Sequence, residues 1–354
     1  MVEMRKVFFP LVATVVLGCF LTACDDDNKK DQDSSANPAS SGQVKASQAT
    51  PKTAPPQTAE PAPKAEDDPE QAIKAKLSLY IKCFNDTSSS FESSLDRYSG
   101  WVKNMEAGPT GRETPYVLYA VSSEHIGECT LGVDKAGKMP PAMPELESAA
   151  AEYVAAIVPL GKTITEAHIY YERENYKDDK FAKGKELHKP LLQQSKVFKA
   201  AAQKFFNELD RANDQVSEAR LKKMEKDGDR NLGYLHLSVM IQSKQMLRLM
   251  EKASFPIDEA TAKVDTLQKT ADELQATPEK KPILWSMYTG KLDDYLKAAR
   301  ARLRRVRDNG PDDPKERQRP LLMGFVDDSP PGSASKLVSA YNALVNESNT
   351  LSKF

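Results

Sequence analysis

The sequence predicts an all-α protein, a bundle of about six to seven mostly long antiparallel helices. Three observations carry this prediction. From residue 70 onward, apolar residues recur at steps of three and four, the spacing of one helix face. No stretch shows strand–helix alternation, a Gly-rich phosphate loop or a Cys-x-x-Cys pair. Prolines and Gly/Asp clusters fall mostly between the periodic stretches, where helices stop and start.

The first helix is announced by Asp67-Asp68-Pro69-Glu70, a capping carboxylate, a first-turn proline and an acid at the positive helix end. Its stripe reads Ile73, Leu77, Tyr80, Phe84, Phe91, Leu95, Tyr98, Val102, Met105. That is a seven-residue repeat, the spacing of a long helix packed at a shallow angle on its neighbours. Gly108-Pro109-Thr110-Gly111 ends it. Residues 112–144 are the least regular part. Within them Tyr116–Val121 fits a short strand or a helical turn equally well. A second helix begins near Glu145, carrying Leu146, Tyr153, Ile157, Leu160, Ile164 and His168 on one face, with a kink expected at Pro159.

A third helix is expected from Pro190 to about Lys226, stopped by Asp227-Gly228-Asp229. The fourth, roughly 230–253, is apolar over most of its circumference and belongs in the middle of a bundle. Further helices near 257–276, 282–307 and 334–352 are separated by Pro256, Pro278, Pro282 and the loop from Asn309 to Gly332.

Ahead of the helices, Arg5 and Lys6 precede an apolar run, Val7 to Phe20, too short to span a bilayer. It closes on Leu21-Thr22-Ala23-Cys24, which resembles the lipobox of bacterial lipoproteins. The resemblance implies cleavage before Cys24 and lipidation of that residue. Three acyl chains on a processed Cys24 would make a stable membrane anchor. Asp25 resembles the enterobacterial signal that retains a lipoprotein at the periplasmic face of the inner membrane, with the outer membrane as second choice. From Asp25 to Glu66, Ser, Ala, Pro, Gln, Thr, Lys and Asp prevail and Val44 is the one larger aliphatic residue. Such a chain cannot bury enough apolar surface to offset its ordering entropy. The expected organisation is therefore a signal peptide at 1–23, a lipidated Cys and disordered tether at 24–66, and a helical domain at 67–354. As a flexible coil, the tether has an r.m.s. reach of roughly 35–40 Å.

Charged residues make up 29% of the chain with a formal net charge of −1. Loss of Glu3, Arg5 and Lys6 with the signal moves this to −2. Near-neutrality argues against a nucleic-acid partner. After processing, Cys83 and Cys129 form a single pair. In an oxidising compartment a disulfide is the favoured reading, against two independent buried thiols. A bridge closing that loop is worth roughly 4 kcal/mol on the chain-entropy model.

One passage carries a family resemblance. Tyr170-Tyr171 leads to Tyr176-Lys-Asp-Asp179, then Phe181-Ala-Lys-Gly184-Lys-Glu-Leu-His188 and Leu191. With Trp101, Gly108-Pro-Thr-Gly-Arg-Glu113 and Tyr341-Asn342, this resembles the YiiG-like lipoproteins of enterobacteria over most of residues 70–350. The resemblance implies a helical, lipid-anchored envelope protein and supplies no catalytic residues.

Candidate chemistry is sparse. His168 and Glu172, four apart on one helix face, fit either a metal pair or a core histidine bonded to a carboxylate, and the second is favoured. His125 and Glu128 loosely resemble the Gly-x-His-x-x-Glu motif of imelysin-like envelope proteins, with Ser123 where the glycine would stand. No catalytic constellation, metal set or cofactor motif emerges. The strongest recognition surface combines Tyr170, Tyr171, Tyr176, Asp178, Asp179, Lys183, Lys185 and His188, flat amphipathic rings beside mixed charge. The alternative there is a solvated loop with half-buried tyrosines. An anion patch is expected at Arg300, Arg302, Arg304, Arg305 and Arg307, facing water opposite Leu296, Ala299, Leu303 and Val306. The leading functional expectation is a non-enzymatic, membrane-tethered binding or scaffold protein with an envelope protein or polymer as partner. The runner-up is an envelope enzyme handling a metal or substrate through His125, His168 or His188 and neighbouring carboxylates.

Overall fold

The computed structural model describes residues 69–310 and 329–351. The expected signal peptide, lipidation at Cys24, tether and Asp67-Asp68 cap lie outside the described residues. Among the described residues there are eight α-helices, a short 3-10 turn and no strand. In chain order they are α1 (Pro69–Trp101), α2 (Ser123–Gly137), α3 (Pro144–Glu172), the 3-10 turn Asn175–Lys177, α4 (Ala182–Asp227), α5 (Leu232–Met250), α6 (Ile257–Ala276), α7 (Trp285–Asn309) and α8 (Ala334–Leu351).

The helices form two groups. In the first, the stripe of α1 meets α3 and α4 through aromatic pairs: Phe91 stacks on Phe198 at 5.4 Å, and Phe84 and Tyr153 meet Phe205 at 5.7 and 5.2 Å. The α1–α4 pairs run in opposite chain directions, so these helices are antiparallel. In the second group α5 packs on α6, α7 and α8, as its near-circumferential apolarity predicts. Here Tyr295 meets Tyr341 at 5.7 Å, and Leu267, Leu292 and Leu344 are buried. Among the described helices, only α4 and α5 bring the backbones of the two groups within 8 Å of each other. The 46 residues of α4 make this reach possible, at ~1.5 Å of rise each.

Three expectations are corrected. First, α1 stops at Trp101 rather than Gly108, because the Asn104 side chain accepts from the amides of Glu106 and Ala107 and competes with the helix. Val102 is nevertheless buried, so the stripe outlives the helix. Second, the irregular region contains α2, capped by Ser122 Oγ accepting from the His125 amide at 3.2 Å. Its buried face is only Cys129, Val133 and Ala136, too weak an apolar signal to stand out. Third, α4 begins eight residues before Pro190, which sits inside it. Pro159, where a kink is expected, lies inside α3, which continues past it to Glu172.

The Cys83–Cys129 disulfide joins α1 to α2. About two turns earlier on α1, the fully buried Lys76 ammonium donates to the carbonyls of Met139 and Pro141 at 2.8 and 2.7 Å and to Glu147 at 2.5 Å. One side chain thus holds the α2–α3 connection against α1. No helix among the described residues is long and apolar enough to cross a membrane.

Candidate functional site

The passage 170–192 forms one end of the first group, where α1, the 102–122 segment, α3 and α4 converge. Three non-glycine residues there have positive φ, Glu174 (55°), Lys180 (54°) and Phe181 (65°). Backbone of this kind persists only where its surroundings over-determine it. The determinants are visible. Asp179 accepts from the Lys183 amide at 3.0 Å, capping α4 from two residues before its cap position, and from the Tyr170 hydroxyl at 2.7 Å. Desolvation pushes its carboxyl upward, but these donors and the amides of Phe181 and Ala182 outweigh it and hold the carboxyl below the usual range.

Behind this turn lies an aromatic cluster. Trp101 meets Tyr171 edge-on at 5.2 Å, Tyr98 meets Trp101 at 5.3 Å, and Tyr176 meets Phe181 at 4.9 Å. His188 Nδ1 lies 2.9 Å from the Tyr98 hydroxyl and its Nε2 3.0 Å from the Met105 carbonyl. An imidazole protonated on Nε2 satisfies both contacts. Two glycines admit these rings. A Cβ on Gly108, at φ +79°, would come within 2.6 Å of His188 Cδ2, and one on Gly184 within 2.8 Å of the Tyr171 hydroxyl oxygen. The passage that carries the family resemblance is therefore a folded lock, tying the ends of α1, α3 and α4 together.

This corrects the recognition surface. Tyr170, Tyr171 and His188 are buried, because their rings fill the space between three helix ends. Tyr176, Asp179 and Lys183 are half-buried; Lys183 pairs with Glu166 at 2.9 Å. Asp178 and Lys185 remain exposed. The anion patch is corrected as well. Arg302 is fully buried, donating to the carbonyls of Met250, Lys252 and Gly332 at 3.1, 2.8 and 3.3 Å, with Phe255 under its guanidinium. Arg300 and Arg305 are half-buried, Arg300 beside Asp265 and Gln268, whereas Arg304 and Arg307 are exposed and Arg307 pairs with Asp308.

The remaining histidines are spread apart. His125 is exposed at the start of α2, and Glu128 turns to Lys82 at 2.8 Å. His168 sits between the Leu118 carbonyl, 2.6 Å from Nδ1, and Glu172, 3.2 Å from Nε2. Among the described residues, no group of three or more His, Cys, Asp or Glu is placed to hold a metal ion. Sequence reasoning missed a charged quartet between α4 and α5. Lys244 and Arg248 each contact both Asp210 and Asp214, with Lys244–Asp214 and Arg248–Asp214 at 2.5 Å. The matched four-residue spacings on both helices were the available signal.

Fold and site define a class: an all-α protein of two linked helix groups, with an aromatic lock at one end. The chain belongs to the family described as "Protein of unknown function (DUF3829)", whose model matches residues 71–350. It is also similar to the uncharacterised protein YiiG of Escherichia coli strain K12, at 35% identity over 98% of this chain and 99% of that one. No solved structure matches it.

Proposed function

We propose that this protein is a periplasmic lipoprotein, anchored through Cys24 at the inner membrane, whose helical body serves as a non-enzymatic binding or scaffold module. The observation that carries the anchor is Leu21-Thr-Ala-Cys24 directly after a short apolar run with a basic start. The Cys83–Cys129 disulfide supports an oxidising compartment. The non-catalytic reading is supported by the engagement of the interior polar groups. His188, Asp179, Lys76 and Arg302 each hold backbone or a neighbouring ring, which is work of positioning helices. Of the three histidines that the enzyme reading names, His168 and His188 have both ring nitrogens facing protein acceptors or donors, and His125 is exposed with the nearby Glu128 turned to Lys82.

Labelling with radioactive palmitate tests the anchor. The native chain should take up label and shorten on processing, whereas Cys24→Ala should do neither. Label persisting in the variant would refute lipidation at Cys24. Co-purification of the lipidated chain from envelope extracts, compared with Cys24→Ala, then identifies what the body binds.

A further inference from the structure

The end of the body where the tether joins carries an unexplained apolar turn. Glu70 lies 3.6 Å from Arg220, so the chain enters the body only seven residues, ~10 Å along the helix, before the end of α4. The same end collects the start of α5, the end of α6 and the start of α7. Arg230 pairs with Glu273 at 2.7 Å, the Leu232 amide donates to Glu279 at 2.9 Å, and His236 meets Tyr288 at 5.0 Å.

Between α6 and α7 the turn Lys280-Lys-Pro-Ile-Leu-Trp-Ser-Met287 projects from this end. Ile283 is 82% exposed and Met287 49%, with Trp285 half-exposed between them. Leu284 adopts φ +71°, a left-handed conformation that a leucine rarely takes. It reverses the chain so that Ile283 points outward while Tyr288 enters the core. Lys281 lies over the Trp285 ring at 5.1 Å and donates to the Leu274 carbonyl, and Lys280 is exposed beside it. Of the acids at this end, Glu273 pairs with Arg230 and Glu279 accepts from the Leu232 amide, while Asp227 and Asp229 are exposed beside Lys226 and Arg230. An isolated exposed isoleucine needs no explanation. Ile, Trp and Met within five residues, rimmed by two lysines, form the composition of an interfacial membrane contact.

We propose that the Lys280–Met287 turn is a second membrane contact, seating on an anionic lipid surface with Ile283 and Met287 among the acyl chains and the lysines at the phosphates. The inference rests on the lipoprotein reading for its orientation, since the tether delivers this end to the bilayer. The two contacts, lipid and turn, would stand the body upright, with the aromatic lock away from the membrane. Lys185, at that far end, lies ~63 Å along α4 from Asp227.

The test uses the full chain, lipidated and reconstituted in vesicles containing phosphatidylglycerol and a nitroxide-labelled lipid. Ile283→Cys and Lys185→Cys each carry a thiol-linked fluorophore, the native Cys83–Cys129 pair being bonded. The dye at 283 should be quenched and that at 185 should not. Quenching at 283 should fall to the level of 185 when Lys280 and Lys281 become Glu, and in phosphatidylcholine vesicles that carry the same nitroxide-labelled lipid but no phosphatidylglycerol. Equal quenching at 283 and 185 in phosphatidylglycerol overturns the contact. Equal quenching at 283 in both lipids overturns its anionic character. Flotation with the vesicles reports the anchor separately. A chain that floats unquenched sinks this inference alone. A chain that proves unlipidated sinks the anchor reading, and quenching at 283 after its addition to vesicles, with Cys19→Ser and Cys24→Ser so that 283 carries the only dye, then decides the turn by itself.

Discussion

Arg302 shows how a single residue departs from its type. A guanidinium normally seeks water, and among five neighbouring arginines this one has none. It sits where the α7 stripe demands a buried residue: Tyr295, Ala299, Arg302 and Val306 follow at steps of four, three and four, all buried. Burial is tolerated because three carbonyls, from Met250, Lys252 and Gly332, receive its donors. These carbonyls belong to the α5–α6 connection and the approach to α8, so one side chain closes the second helix group. Arg302→Ala should lower stability by about 3 kcal/mol, since it leaves buried carbonyls without partners. Exposed Arg304→Ser should stay within ~0.5 kcal/mol. Urea midpoints compare the two; equal midpoints would show that Arg302 is not structural. The position was legible from periodicity. The role was not, because residue type points outward and only the neighbouring carbonyls reverse it.

At the scale of elements, the long helices with strong stripes were legible nearly to their ends: α6 occupies the expected residues, and α3 begins one residue early. Elements stabilised by neighbours rather than by their own apolar face were not. The weak stripe of α2 is made stable by the disulfide and by packing on α1, and the first turns of α4 by Asp179 and the aromatic lock. The α4–α5 junction depends likewise on charges from separate helices. Lys244 and Asp210 are mostly buried, Asp214 less so, and Arg248 is partly in water. Removing one partner strands the others, so the pair should couple strongly. In a double-mutant cycle, Asp214→Ala with Lys244→Ala should give a coupling of about 1–3 kcal/mol by chemical unfolding. Additive effects would mean that the Lys244–Asp214 pair contributes nothing beyond its separate residues.

For the molecule as a whole, two titrating groups in different helix groups oppose each other. Glu92 lies on α1 in the seam with α4; burial, reinforced by Asp96 and opposed by Lys199, pushes its carboxyl from 4.5 up to about 7. His236 on α5 is pushed from 6.5 down to about 4, by burial first and by the Arg220 charge second. As pH rises from 4.5 to 7, the unfolded chain ionises Glu92 before the folded one, so stability falls. As pH drops from 6.5 to 4, the unfolded chain protonates His236 before the folded one, so stability falls in that direction too. Glu92→Gln should therefore stabilise the protein by up to ~2 kcal/mol at pH 8, with the gain vanishing by pH 4.5. The variant should then lose stability steadily below pH 6.5, where His236 acts unopposed. Parallel stability–pH curves for variant and native protein would refute the role of Glu92.

The sequence by itself determined the helical class and most helix positions, because those depend on local periodicity, caps and breakers that a chain carries in its own order. It also carried the family, through the resemblance read mainly at 170–192. What those residues do was decided only by the tertiary structure. Tyr170, Tyr171 and His188 read as surface and are core; Lys76 and Arg302 carry charge and are buried. Whether a polar side chain faces water depends on which donors and acceptors lie across from it. Those partners come from segments as far away as 90 residues in the case of Tyr98 and His188. No local pattern records such a meeting, and only the folded chain brings it about.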